Sequence, residues 1–128
     1  MKKLTAVLCL AVFLAVNLNA QGPTGRAVTQ TGTISTGVTI NANAGVITTV
    51  SSTLAAAASA TFTVTNSSVE TGSVIVVSVQ GYAGTYSTNG IPIANVQAVT
   101  AGSFNIVLSN VHASAALNNP VQIAFSVR

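Results

Sequence analysis

Apolar and polar positions alternate with a period of two through most of this chain. Thr61-Phe62-Thr63-Val64-Thr65 sets apolar side chains between threonines, the pattern of a strand with one dry face and one wet face. Phe104, Ile106 and Leu108 alternate in the same way with Ser103, Asn105 and Ser109. Val121, Ile123, Phe125 and Val127 do so with Gln122, Ala124, Ser126 and Arg128. The segment Ser73 to Gln80 departs from this pattern. Ile75, Val77 and Val79 supply one apolar face, but Val74 and Val76 make the opposite face apolar too. Such a strand belongs either in the middle of a sheet covered on both sides or where its outer face meets another subunit. Further strands, less regular in pattern, are expected around Ile34 to Ile40, Val46 to Val50 and Ile93 to Val99.

Turn chemistry separates these segments. Asn41 to Gly45 divides two short strands at hairpin distance. Asn66 to Gly72 and Thr100 to Gly102 hold residues that tolerate positive φ or bond their own backbone. Gly81 to Gly90 is the longest glycine-rich excursion, and Val111 to Pro120 is the other long connection. Ala55 to Ala58 has helical propensity but is too short to stand as a helix, so it reads as a tight entry to the Thr61 strand. Strands recurring about every ten residues predict an all-β fold, a single antiparallel β-sandwich or jelly-roll-like domain of about seven strands. That domain is expected to span residues 33–128, after a flexible lead-in at 21–32 that carries Gly22, Pro23 and Gly25.

The first 20 residues have a different logic. Lys2 and Lys3 precede an uncharged apolar run from Leu4 to Val16, and a polar exit ends at the small residue Ala20. This is the layout of a signal peptide cut after Ala20. The run of about 13 residues falls short of the roughly 20 that a bilayer helix needs, so no stable membrane span is expected after cleavage. The expected location is secreted, periplasmic or cell-surface.

Removing the leader changes the charge reading. Four Lys and Arg against one Glu give a formal net charge of +3, and without Lys2 and Lys3 it is +1. Only Arg26, Glu70 and Arg128 remain charged, which gives nucleic-acid binding no electrostatic footing. Cys9, the single cysteine, lies in the leader, so the mature domain has neither disulfide nor thiol. Abundant Val, Ile, Ala and Phe argue against disorder, and about 108 residues suffice for one core.

The same inventory bears on chemistry. With Glu70 the only acid, no carboxylate pair and no Ser-His-Asp set can be assembled, and one His with one Glu cannot make a metal site in a single subunit. No enzyme activity, catalytic residue, metal or cofactor is expected. His112 reads as a loop histidine bonding a neighbouring backbone carbonyl, and Glu70 as a solvated charge. Tyr82 and Tyr86 are the candidate ligand-binding residues, because two tyrosines on a glycine-rich loop can present ring area to a surface glycan. The alternative for them is to fold back over the end of the sandwich. Val74 and Val76 are the candidate assembly face.

Leu54-Ala55-Ala56-Ala57-Ala58-Ser59-Ala60-Thr61-Phe62-Thr63-Val64-Thr65-Asn66-Ser67 and Ser73-Val74-Ile75-Val76-Val77-Ser78-Val79 resemble segments of small β-sandwich domains in phage virion proteins of the fibre, decoration and capsid-associated kinds. Gly102-Ser103-Phe104 and Asn110-Val111-His112-Ala113-Ser114-Ala115-Ala116-Leu117-Asn118 continue the likeness. The resemblance implies a structural domain in which His112 has no catalytic part. It sits against the signal peptide, which a virion protein assembled in the cytoplasm does not need.

Three functions follow as expectations. The first is a secreted, non-enzymatic structural or surface-assembly domain that forms homo-oligomers, since edge strands normally carry charges that discourage pairing and this chain has almost none. The second is a carbohydrate-binding or adhesive module, and the third a virion structural protein.

Overall fold

A computed structural model describes residues 26–128. The expected signal peptide at 1–20, with Cys9, and the start of the lead-in lie outside the described residues. Eight strands form: β1 (Arg26–Thr29), β2 (Val38–Thr39), β3 (Ala44–Thr48), β4 (Ser59–Thr65), β5 (Ile75–Tyr82), β6 (Pro92–Thr100), β7 (Ser103–Asn110) and β8 (Val121–Val127). They make two four-stranded sheets, in the orders β1-β3-β8-β5 and β2-β4-β7-β6. The protein is thus an all-β sandwich, as the alternation predicts, with eight strands instead of about seven. The additional strand is β1, which lies within the segment expected as a flexible lead-in. Four residues are too few to show a period, and the ladder to β3 is what orders them.

The sheets are mixed, not purely antiparallel. β1 pairs with β3 and β2 with β4 in parallel, while the remaining ladders are antiparallel. Parallel neighbours need a crossover connection, and here each crossover passes through the opposite sheet. That crossing also removes the hairpin expected at Asn41 to Gly45, because β2 and β3 belong to different sheets. Gly45 is a strand residue with a different task. A Cβ there would stand 2.7 Å from the Arg26 carbonyl oxygen and 2.9 Å from the Phe125 ring. Glycine lets β1 and the core close on β3.

Strand order excludes one of the two settings expected for β5. β5 is an edge strand, not a central one, and β8 holds the centre between β3 and β5. The inner residues Ile75, Val77 and Val79 pack against the core, and Val76, Ser78 and Gln80 face out.

The core lies between the layers. Phe62, Val64, Phe104, Ile106 and Leu108 from one sheet meet Ile47, Val121, Ile123 and Phe125 from the other, all nearly inaccessible. Each contributes about 1.5–3 kcal/mol by leaving water. Phe104 and Phe125 touch across the interlayer, with ring centroids 5.6 Å apart and planes tilted by 50°. β4 shows the logic plainly, with Ala60, Phe62 and Val64 buried and Ser59, Thr61, Thr63 and Thr65 exposed.

Strand directions define two poles. One carries the start of β1, the 66–74 connection, the two-residue turn at Ala101 and Gly102, and the end of β8. The other gathers the connections 49–58, 83–91 and 111–120.

Candidate functional site

The open side of β5 is built by ladder geometry. Val74 and Arg128 exchange both backbone bonds, at 2.8 and 3.0 Å. The register continues through Val76 with Ser126 and Ser78 with Ala124. In an antiparallel ladder such pairs alternate, so Ile75, Val77 and Val79 direct their N–H and C=O groups away from β8, toward the open edge. Val74 is 60% exposed and Val76 49%. The outer face beside them continues through Ser78, Ala124, Ser126, Ala44 and Val46, none of them charged. The structure therefore places both predicted assembly residues together, at a free edge and on a face whose one charge, Arg128, stands at its end directly across from Val74.

Tyr82 and Tyr86 also come together, at the pole away from Arg128. Their ring centroids lie 5.7 Å apart with planes tilted by 50°. Tyr82 ends β5, and its hydroxyl donates to the Asn89 carbonyl oxygen. The ring lies over Gly84, where any Cβ would collide with it. Tyr82 thus folds back onto its own loop, while Tyr86, 55% exposed, covers its outer side. Beside them Thr48, Gly81, Tyr82, Ala83, Pro120 and Gln122 line an open depression of about 300 Å³.

Asn110 organises that pole, a role that sequence reasoning missed. Its Oδ1 accepts from the backbone N–H groups of Ile91 and His112, at 3.0 and 3.1 Å. Its Nδ2 donates to the carbonyls of Leu54, Ala55 and Ala115, at 3.2, 3.1 and 2.8 Å. One buried carboxamide joins all three loops. His112 continues the arrangement in the reverse sense to that expected. Its Nδ1 accepts from the N–H groups of Ser114 and Ala115, at 3.1 and 2.8 Å, so the ring is an acceptor from the backbone.

At the opposite pole Asn66, fully buried, donates to the Ala42 carbonyl and accepts from Ser68 N–H, holding the 66–74 connection down. Glu70 and Arg128 line a shallow depression there with Asn43, Ser68 and Ser73. Arg26 opens β1 at the same end, opposite Gly45. All three charged side chains of the described residues are gathered at this pole. Among the described residues no three His, Cys, Asp or Glu side chains are grouped as metal ligands would be.

Ile93 and Val111 are further exposed apolar residues that the sequence pattern did not single out, at 42% and 52%. Ile93 sits opposite Ser109 on the outer face of the second sheet, the side that alternation from Ala94 assigns it. No family model matches the chain, and neither a search of curated proteins nor one of solved structures found a similar protein.

Proposed function

We propose that this protein is an exported, non-enzymatic structural domain that assembles with copies of itself through uncharged β surfaces. The observation that carries the reading is two exposed valines, Val74 and Val76, beside an unpaired strand edge on a face whose only charge is Arg128 at its end. Charged side chains are the usual guard against edge pairing, and this body keeps its few charges at one pole. Sedimentation velocity or light scattering across a concentration series tests this. The expected result is a mass above the monomer that rises with concentration, and a monomer throughout the micromolar range overturns it.

A second reading, a glycan-binding surface at the tyrosine pole, is favoured by Tyr86 alone, whose ring stays 55% exposed while Tyr82 is occupied by its own loop. Stacking of a sugar on that ring is supported by aromatic area with a wet hydroxyl. Tyr86→Ala should then reduce retention on a glycan array at least about tenfold, the loss of roughly one aromatic contact of 1.4 kcal/mol. Equal retention removes the site. A virion setting, which the likeness to phage structural domains implies, adds no residue to either reading.

A further inference from the structure

Of the four strands that end the two sheets, three are blunted in ways that discourage pairing. β1 has four residues and begins with the charged Arg26, and β2 has only two. β6 opens with Pro92, and its register breaks between Val96 and Val99. Short length, charge, proline and bulges are the common devices that protect an edge. β5 has none of them over Ile75 to Val79, and its own register shift comes only after Val79. β6 runs beside it in the other sheet without forming a ladder to it.

The open edge is also self-complementary. Ile75, Val77 and Val79 present outward backbone groups at equal intervals, and the set is symmetric about Val77. We infer that a second copy of this chain pairs with β5 in antiparallel register about a two-fold axis at Val77, joining two four-stranded sheets into one continuous sheet. Val77 then faces its counterpart and Ile75 faces Val79, each pair exchanging both backbone bonds. On the outer face Val76 of each copy lies directly across from Ser78 of the other, a non-hydrogen-bonded position where side chains approach most closely. The inner side chains Ile75, Val77 and Val79, only half-buried in one copy, gain cover from the second. No charge on β5 opposes the approach. This rests on the self-association reading above and supplies its interface.

The register has a direct test, because Val76 and Ser78 are solvent-facing and their replacement leaves the core alone. Val76→Lys combined with Ser78→Lys sets like charges across both outer pairs and should weaken association about tenfold or more by sedimentation velocity. Val76→Lys combined with Ser78→Glu sets opposite charges across the same pairs and should restore association, more so at low salt. Circular dichroism melts of both variants check that the fold is kept. If the wild-type chain is monomeric, the assembly reading and this interface fall together. If the wild type associates and the double-lysine variant does so equally well, assembly stands and this edge is wrong. If the double-lysine variant dissociates and the Lys/Glu variant does not recover, the edge is used but the two-fold at Val77 is overturned.

Discussion

One carboxamide, that of Asn110, joins the ends of three connections that lie far apart in the sequence. Its oxygen accepts two bonds and the two hydrogens of its nitrogen serve three carbonyls, one of them shared, so no polar atom is idle. Leaving buried partners unmet is costlier than the net value of the bonds themselves. Asn110→Ala should therefore lower unfolding stability by about 2–4 kcal/mol in urea titration. Asn110→Asp should do comparable damage, since a carboxylate can accept from Ile91 and His112 but cannot donate to Leu54, Ala55 and Ala115. If the aspartate variant is as stable as the wild type, the donor bonds are not what holds the pole. In sequence Asn110 is only a polar residue after an alternating strand. Two of its acceptors lie more than 50 positions earlier, so the hub was not legible. Tyr82 and Tyr86 were legible as a pair, but the bond from Tyr82 to Asn89 that decides its orientation was not.

At the scale of elements, local pattern carried a long way and then stopped at a definite point. β4, β7 and β8 follow their alternating segments closely, because a half-buried face imposes the period on every residue of the strand. What pattern could not carry is the choice of sheet. Asn41 to Gly45 has hairpin spacing, yet the chain crosses between layers there. Val74 and Val76 were compatible with a covered central strand or an interface, and strand order selects the edge. Gly45 marks the same boundary. It is a turn residue by composition and a contact residue by structure, allowing the Arg26 carbonyl and the Phe125 ring to close on β3. Gly45→Ala should cost about 1–3 kcal/mol through overpacking. The loss should be local first, so hydrogen exchange should accelerate at Ala27 to Thr29 well before it does in β4. Unchanged protection in β1 with a lowered melting temperature would place the strain elsewhere.

Over the whole molecule, the distribution of charge matters more than its amount. Arg26, Glu70 and Arg128 share one pole, so the β5 edge from Ile75 to Tyr82, the tyrosine pole and both outer faces short of Arg128 carry no charged side chain. Association through such surfaces has little Coulomb energy to screen. The concentration-dependent mass expected in sedimentation should therefore change little between low and high salt, as a Debye length falling from about 30 to 3 Å acts on charges that are not at the interface. A steep loss of association with added salt would point instead to the charged pole. This salt response also separates the wild type from the Lys/Glu variant, whose introduced pairs depend on low salt.

The position of β8 has a consequence in time. It follows β3 and β5 along the chain and is the strand that joins them, so its sheet has no centre until Val121 to Val127 are available. Among the described residues only β6 and β7 close as a simple hairpin, and the other ladders unite strands that are not consecutive. Such a topology folds slowly, because loop closure must come before most contacts can form. Until β8 is in place, β3 is covered on one edge only, by β1, and β5 on neither, and neither strand carries a charge to deter a stranger. For this protein the greatest exposure belongs not to the finished fold but to the interval before Val121 to Val127 arrive.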